Sequence, residues 1–234
     1  MNESILPVAK HRRVRSFVRR EGRLTPGQQR AMNSLWPHYG LSTTTECLDL
    51  DAVFGRQAPR ILEIGFGNGA ALIALAAAHP EQDYLGIEVH RPGVGALLLA
   101  VETQTLKNVR VICADAVEVL THALPDASLA GIQIFFPDPW HKQRHHKRRL
   151  IQAEFAALLT RKLAVGSGLH VATDWRDYAQ QILGVLDATP HLANNAGTGQ
   201  FSPRPEQRPV TRFEQRGQGL GHAVFDLIYT RLTE

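Results

Sequence analysis

The stretch Arg60–Ala70, which reads RILEIGFGNGA, constrains the fold more than any other part of the chain. Its first half is apolar and predicts a short buried strand. Three glycines at alternate positions follow, and they allow the backbone to turn sharply because no side chain obstructs it. Ala70–Ala78 is rich in Ala, Leu and Ile and predicts a helix that ends just before Pro80. Strand, glycine loop and helix in this order predict a pocket lined by backbone N–H groups at the carboxyl edge of a parallel sheet.

The glycine spacing alone leaves the ligand of this pocket open. Gly65-x-Gly67-x-x-Ala70 fits the dinucleotide fingerprint, but a single match of that kind is weakly specific. Glu63 lies two positions ahead of the loop, where a carboxylate would repel a pyrophosphate and suit a cationic ligand. S-adenosylmethionine carries a sulfonium and an amino group and has no phosphate. The pattern Glu63-x-Gly65-x-Gly67-x-Gly69 resembles the cofactor loop of the class I methyltransferases.

Strand and helix patterns alternate beyond this stretch. Further strands are predicted at Asp83–Ile87, Val109–Ile112, Leu129–Phe136, Gly168–Ala172 and Ala223–Leu232. Helices are predicted at 26–35, Arg91–Leu106, Asp115–Leu120, Arg149–Leu163 and Trp175–Leu186. This alternation predicts an α/β fold, with a mostly parallel sheet, helices on both faces and an antiparallel last strand. We expect residues 25–234 to form one domain and residues 1–24 to form a flexible basic arm.

An acidic residue stands at or just beyond the end of five predicted strands: Glu63, Glu88, Asp115, Asp138 and Asp174. The carboxyl ends of parallel strands share one edge of a sheet, so these side chains are expected around one pocket. Glu88 is placed to accept from ribose hydroxyls and Asp115 from the adenine amino group, although either residue taken singly could instead cap a helix. Several carboxylates around one pocket fit a cationic cofactor and a cationic product better than they fit NAD.

The most specific stretch follows the fourth of these strands and reads PDPWHK from Pro137 to Lys142. Methyltransferases that modify amino groups usually carry an Asn/Asp-Pro-Pro-aromatic tetrapeptide at this place. The two prolines fix two φ angles and thereby set the direction of Asp138. A basic run follows directly, with Lys142, Arg144, Lys147, Arg148 and Arg149.

Four stretches together resemble one family. Residues 135–149 are similar to the signature of the bacterial tRNA (guanine-N7-)-methyltransferases, and 63–69, 173–175 and 211–214 agree with it. The resemblance extends over about residues 25–232 in matching order. It implies a seven-stranded, Rossmann-like class I methyltransferase fold and S-adenosyl-L-methionine as the cofactor. It also implies methylation of N7 of the variable-loop guanine, position 46, in tRNA.

The resemblance further implies roles for individual residues. The expected cofactor contacts are Glu63, Gly65, Gly67, Glu88, Asp115 and Asp138, with Asp138 also the catalytic residue. The expected substrate contacts are Lys142, Asp174, Thr211, Arg212, Phe213 and Glu214. The expected RNA-binding segment is Arg144, His145, His146, Lys147, Arg148 and Arg149.

The charge distribution independently favours a polyanionic partner. Residues 10–30 hold eight Lys and Arg against one acid, and 141–149 hold five and no acid, whereas the 234-residue chain has a net charge of only +4. Two basic segments on an acidic body suit RNA, because each neutralised phosphate releases counterions. Two solvated charge runs are the alternative.

Other features narrow the class of protein. No apolar run approaches the roughly 18 residues needed to span a bilayer, and the N-terminus has no apolar signal core. Two cysteines are too few for a disulfide framework, which fits a cytoplasmic protein. No long apolar surface helix is predicted, so we expect a monomer. His141 and His145 are four residues apart but lack the glutamate and cysteines of metal motifs, so no metal is expected. A nicotinamide-dependent oxidoreductase and a non-catalytic RNA-binding module stay as alternative functions.

Overall fold

The computed structural model describes residues 15–17, 22–42, 46–211, 214 and 223–233. The strands are β1 Gly40–Leu41, β2 Arg60–Ile64, β3 Asp83–Ile87, β4 Val109–Ile112, β5 Leu129–Phe135, β6 Leu163–Thr173, β7 Leu192–Asn194 and β8 Phe225–Arg231. The α-helices are α1 Pro26–Ser34, α2 Trp36–Tyr39, α3 Leu50–Phe54, α4 Ala70–Ala78, α5 Arg91–Gln104, α6 Ala116–His122, α7 Ala153–Lys162 and α8 Arg176–Asp187. A 3-10 helix spans Gln143–Arg148.

All the strands belong to one sheet with the order β1-β4-β3-β2-β5-β6-β8-β7. From β1 to β6 in this spatial order, every neighbouring pair of strands is parallel. Strand β8 is antiparallel to both of its neighbours, β6 and β7. The chain moves outward in one direction from β2 to β3 and β4, and then returns to the other side of β2 at β5. The switch point of this topology therefore lies between β2 and β5, where open α/β sheets bind their ligands.

Both faces of the sheet are buried under helices. In β4, Val111 packs into a cluster with α4 and α5, whereas the next residue, Ile112, packs into a cluster with α6, α7 and α8. Successive side chains of a strand point to opposite faces, so this division gives the two-sided core that the apolar strand composition predicts.

The predicted fold class is confirmed, and several boundaries agree to the residue. Thr25 caps α1 in a capping box with Gln28, and α4, β3 and β4 have their predicted bounds. The sheet has eight strands, whereas the sequence patterns predict six and the family resemblance implies seven. The two strands that the patterns miss are the edge strands β1 and β7, of two and three residues. Strands this short leave little periodicity in a sequence.

The prediction of a helix over Arg149–Leu163 is wrong at its start, since α7 begins at Ala153. Arg149 has an extended ψ of 136° at the end of the 3-10 helix, and the hydroxyl of Tyr178 accepts a hydrogen bond from the backbone N–H of Ile151. These tertiary contacts hold residues 149–152 out of the helix. Most of the predicted flexible arm, 1–14 and 18–21, lies outside the described residues. Among the residues that are described, no helix is long and apolar enough to cross a membrane.

Candidate active site

The five acidic residues singled out from the sequence lie at or just beyond the carboxyl ends of five adjacent parallel strands of the sheet. In spatial order these strands are β4, β3, β2, β5 and β6, and the corresponding acids are Asp115, Glu88, Glu63, Asp138 and Asp174. Glu63 and Asp138 belong to the two strands that flank the switch point. The topology therefore brings together at one edge a set of carboxylates that are spread over more than 100 positions of the chain.

The glycine loop after β2 leaves open space above its backbone. Gly65 and Gly67 have φ values of 73° and 60°, and a Cβ built on either residue would meet no atom within 4 Å. A left-handed φ favours glycine, and the open space permits a ligand to approach the backbone closely. The loop therefore has the two properties that a cofactor cradle requires.

Glu63 is an uncompensated acid beneath this loop. Its side chain is 3% exposed, and within the described residues its Oε2 atom has no hydrogen-bond partner. Burial, followed by the nearby charge of Glu88, raises the pKa of Glu63 to about 8. A buried carboxylate without a partner is a costly feature, and a cation placed next to it would remove the cost. This orphaned oxygen makes the site fit a cationic cofactor such as S-adenosylmethionine.

Glu88 joins the glycine loop to the start of α5 through hydrogen bonds. Its Oε2 atom accepts a hydrogen bond from the backbone N–H of Gly67 at 2.9 Å. Its Oε1 atom accepts from the backbone N–H groups of Val89 and His90 at 2.7 and 2.9 Å, at the start of α5. Glu88 thus shapes the glycine loop, and its contact with ribose hydroxyls stays a prediction.

Asp115 caps α6, which is the alternative that the sequence left open. Its Oδ1 atom accepts a hydrogen bond from the backbone N–H of Val117 at 3.0 Å. It also lines a cavity of about 540 Å³, whose wall includes Lys147, Arg148 and the N-terminal residues Arg15 and Ser16. A capping role and a contact with a ligand in this cavity are compatible, because a carboxylate has several acceptor positions.

The loop that carries Asp138 is bounded by two residues with strained backbones. Phe136 and Trp140 have φ values of 53° and 47°, a region that costs a residue with a side chain roughly 1–2 kcal/mol. The backbone N–H of Phe136 donates to the carbonyl of Ala172 on β6, and the indole N–H of Trp140 donates to the carbonyl of Ser16. Such strain persists only where the surroundings hold it, and it concentrates at functional sites. The side chain of Asp138 itself is exposed.

The 3-10 helix Gln143–Arg148 presents much of the basic run to solvent. Lys142, Arg144 and Lys147 are exposed, and Arg148 lies over the Trp140 ring with its guanidinium carbon 4.1 Å from the ring centroid. Desolvation and then the cationic neighbours lower the pKa of His145. At neutral pH, His145 therefore offers a hydrogen bond to an anion and adds no charge.

Arg149 differs from the rest of this expected RNA-binding run because its side chain is buried. It is 3% exposed, and its nitrogens donate to Pro139, Asp177 and Gln181. Each of its three nitrogens is thus bonded to a protein acceptor, and the side chain has almost no contact with solvent.

The end of β6 adds a second acid and an aromatic pair. Asp174 is half-buried, and the neighbouring ring of Trp175 stacks on His141 with centroids 4.0 Å apart and planes 18° apart. His141 follows Asp138 by three residues. The stack therefore joins the loops that carry Asp138 and Asp174.

Glu214, expected as a substrate contact, is fully buried in an ion-pair cluster. Arg208 reaches it through two hydrogen bonds of 2.7 and 2.8 Å, and Arg204 through one of 3.0 Å. Burial alone would raise the pKa of Glu214, but these hydrogen bonds together hold it below its usual range. The hydroxyl of Thr211 accepts a hydrogen bond from the backbone N–H of Glu214 at 3.1 Å. The expected contacts Arg212 and Phe213 lie outside the described residues.

In the described part of the chain, no group of three or more His, Cys, Asp or Glu side chains is arranged to hold a metal ion. His145 instead packs edge-on against the Trp140 ring, with centroids 5.9 Å apart.

The burial of two arginines at this site, Arg149 and Arg208, was not foreseen from the sequence. The sequence places Arg149 in the expected RNA-binding segment and does not mark Arg208 as a structural residue. Burial of a charged side chain leaves no signal in local composition. The only local indication that Arg149 is structural is its position shortly after the proline-containing stretch from Pro137 to Lys142.

The fold and the open glycine loop define a methyltransferase-type α/β protein. The solved 16S rRNA methyltransferase KamB is similar over 80% of this chain and 95% of its own, with a TM-score of 0.56 at 13% identity. A solved antibiotic-related methyltransferase is similar over 80% and 98%, with a TM-score of 0.53 at 15% identity. A family model described as a putative methyltransferase matches residues 57–227.

Sequence relatives define the family more narrowly. The tRNA (guanine-N(7)-)-methyltransferase of Alkalilimnicola ehrlichii is 62% identical, over 94% of this chain and 93% of the relative. Those of Sodalis glossinidius and Pseudomonas aeruginosa are both 57% identical, over 94% of this chain and 92% and 91% of the relatives. The chain belongs to the tRNA (guanine-N(7)-)-methyltransferase family.

Proposed function

We propose that this protein transfers a methyl group from S-adenosylmethionine to N7 of the variable-loop guanine, position 46, of tRNA. The observation that carries the proposal is the edge of the sheet at which five carboxylates and an open glycine loop adjoin an exposed basic helix. The acidic half suits a cationic donor, and the basic half suits a polyanionic acceptor. The sequence relatives are named tRNA (guanine-N(7)-)-methyltransferases, which supports a methyl donor and a tRNA acceptor.

The donor would lie over the glycine loop. Gly65 and Gly67 provide the space, Glu63 provides an unpaired carboxylate for a cation, and Glu88 holds the loop in shape. Asp115 and Asp138 complete the proposed cofactor contacts from the neighbouring strand ends. S-adenosylmethionine supplies a methyl carbon bonded to a positively charged sulfur.

Methylation of the acceptor nitrogen requires little acid–base catalysis from the protein. N7 of guanine has a free lone pair and no proton, so its attack on a methyl carbon requires no general base. As the new N–C bond forms, the C–S bond would break, S-adenosylhomocysteine would leave as a neutral thioether, and the purine ring would become cationic. Asp138 and Asp174 stabilise this charge and accept hydrogen bonds from N1–H and the amino group of the base. We assign Asp138 a positioning and charge-stabilising role in place of a proton-transfer role.

The RNA would be held by the exposed cations Lys142, Arg144 and Lys147, with Arg148, His145 and His146 beside them. Thr211, Arg212 and Phe213 are proposed to contact the substrate, whereas the buried Glu214 acts by holding that segment. A guanine inside a folded tRNA must leave its stack to reach the donor. We further propose that the enzyme acts as a cytoplasmic monomer.

The test is methyl transfer to two tRNA transcripts with labelled S-adenosylmethionine. One transcript carries guanine at position 46 and the other carries 7-deazaguanine there, which has carbon in place of N7. We expect label in the first transcript only, with the modified nucleotide mapped to position 46. Equal labelling of both transcripts, or of neither by a folded enzyme, contradicts the proposal.

Asp138→Asn separates the roles that this side chain can have. We expect single-turnover methylation to fall about 100-fold while the affinity for S-adenosylhomocysteine changes by less than about threefold. In the wild-type enzyme at saturating S-adenosylmethionine, where the ionisation of Glu63 no longer limits binding, the single-turnover rate should show no acidic group titrating near neutrality. A loss of rate governed by such a group would mean that Asp138 acts as a base.

A further inference from the structure

The guanidinium of Arg149 connects two loops that the proposed reaction uses. Its Nε–H donates to the backbone carbonyl of Pro139 at 2.8 Å, one residue after Asp138. Its two terminal nitrogens donate to the side chains of Gln181 at 2.6 Å and Asp177 at 2.5 Å, both on α8. Helix α8 begins at Arg176, directly after the loop that holds Asp174. One side chain therefore joins the chain after β5 to the chain after β6.

The Pro139 carbonyl is a place where the backbone needs to be held. The next residue, Trp140, has a φ of 47°, and Phe136 on the other side of Asp138 has a φ of 53°. A loop with strain at both ends relaxes unless surrounding contacts fix it. The Arg149 hydrogen bond acts between these two points.

The chemistry of this cluster requires arginine. A guanidinium has donors directed along several fixed directions, so one residue can satisfy the Pro139 carbonyl, the Asp177 carboxylate and the Gln181 amide at once. The group is further confined by the ring of Tyr178, whose centroid lies 4.8 Å from the guanidinium carbon. A lysine has the same charge but presents a single ammonium, which cannot span the three acceptors.

Burial separates Arg149 from the cations around it. Its side chain is 1% exposed, whereas Lys147, two residues earlier, is exposed. Asp177, its ionic partner, is 64% exposed, and the hydrogen bond from Arg149 is the main cause that lowers the pKa of Asp177. The ion pair therefore joins an exposed carboxylate on the surface of α8 to a buried guanidinium that contacts the loop of Asp138.

We propose that Arg149 is a positioning residue that fixes Asp138 relative to Asp174, and that it does not bind RNA. This inference rests on the proposed function of that site. A displacement of about 1 Å at a reacting group costs about 100-fold in rate. The role thus predicts a defect in the methyl-transfer step that leaves the binding of tRNA unchanged.

The test uses Arg149→Lys, which keeps the positive charge, and Arg161→Lys as the matched control at an exposed position in the last turn of α7. We expect Arg149→Lys to lower single-turnover methylation at saturating tRNA by about 30- to 100-fold. The tRNA dissociation constant and its salt slope should stay within twofold of wild type, as should every property of Arg161→Lys. A near-normal rate in Arg149→Lys, or a tRNA affinity that falls in parallel with the rate, overturns the proposal.

Asp177→Asn tests the same proposal if Arg149→Lys does not fold. Asp177 lies on the surface of α8, so its substitution is expected to leave the fold intact. We expect a smaller loss of rate, of about three- to tenfold, with unchanged tRNA affinity. Where both variants fold, the double variant should be no slower than Arg149→Lys alone, because both changes act on one contact. A full-rate Asp177→Asn, or additive losses in the double variant, would contradict a shared positioning role.

A readout independent of activity uses 5-fluorotryptophan, since the chain has three tryptophans, Trp36, Trp140 and Trp175. Arg149→Lys should shift or broaden the ¹⁹F resonance of Trp140, which follows Pro139, and leave that of Trp36 in α2 unchanged. A spectrum of Arg149→Lys identical to that of wild type overturns the proposal even if the variant is slow. Failure of the wild-type protein to methylate tRNA would instead overturn the proposed function.

Discussion

Arg208 and Glu214 form a bidentate ion pair, with two N···O distances of 2.7 and 2.8 Å, and each side chain is at most 1% exposed. Arg208 also lies 2.8 Å from the buried carboxylate of Asp226 on β8, which in turn is 2.7 Å from His170 on β6. The segment that leads to Thr211 is thereby attached to the sheet next to the loop after β5. Glu214 is therefore held in the interior by a charge pair, and its expected contact with the substrate stays a prediction.

This pair predicts different costs for two arginines that share one carboxylate. Arg208→Met leaves Glu214 and Asp226 buried without their main cation, so we expect the free energy of unfolding to fall by about 3–5 kcal/mol. Arg204→Met removes a partner that is 36% exposed, and should cost less than about 1 kcal/mol. Urea denaturation of the two variants measures the difference. Equal losses would mean that burial does not govern the strength of the pair.

Glu63 predicts a dependence of stability on pH. Its pKa is raised to about 8 in the folded protein, from 4.5 in the unfolded chain, so between these values the folded state keeps a proton that the unfolded state has lost. The free energy of unfolding therefore decreases with rising pH across this window, by at most about 1.4 kcal/mol per pH unit. Glu63→Gln has no such titration. We expect the ligand-free variant to gain stability relative to wild type from pH 5 to pH 8, and parallel curves would contradict the assignment.

The same residue predicts a pH dependence of cofactor binding. A cation next to Glu63 favours the ionised carboxylate, so binding below pH 8 releases a proton. The affinity of wild type for S-adenosylmethionine should therefore rise between pH 6 and pH 7.5, by up to about tenfold per pH unit. Glu63→Gln should bind more weakly and lose this slope. Calorimetry in buffers of different ionisation enthalpy measures the proton release directly.

Gly93 predicts a close-packing requirement behind the glycine loop. A Cβ at this position of α5 would lie 2.0 Å from the carbonyl oxygen of Gly67. Gly93→Ala should displace the loop and weaken cofactor binding at least tenfold. Gly184→Ala is the matched control, because nothing lies within 4 Å of a Cβ there, and alanine should stabilise α8 by about 0.5–1 kcal/mol. Thermal unfolding and ligand titration of both variants check the contrast.

Lys147 predicts the electrostatic part of RNA binding. Its side chain is exposed on the 3-10 helix beside the cavity at Asp115. Lys147→Gln should weaken tRNA binding and reduce the slope of log affinity against log salt by about one, with an unchanged single-turnover rate at saturating tRNA. Lys107→Gln, an exposed lysine that precedes β4 at the opposite edge of the sheet, serves as the control. Equal slopes in the two variants would remove Lys147 from the RNA-binding surface.

Local sequence determined much of this protein. The apolar run at Ile61, the glycines after it and the proline after Ala78 each act on the backbone near their own position, so strand, loop and helix follow from short-range physics. The acids at strand ends were predictable in the same way, because the carboxyl edge of a parallel sheet gathers whatever follows its strands.

The tertiary structure alone decided which charges are buried. Lys147 and Arg149 are two residues apart in one basic run, but one is exposed and the other is closed in by Pro139, Asp177 and Gln181. The guanidinium of Arg208 likewise lies over the ring of Phe136, a residue that is distant from it in the chain. The cost of burying a charge depends on the partners that the fold brings to it, and those partners lie outside any local window of sequence.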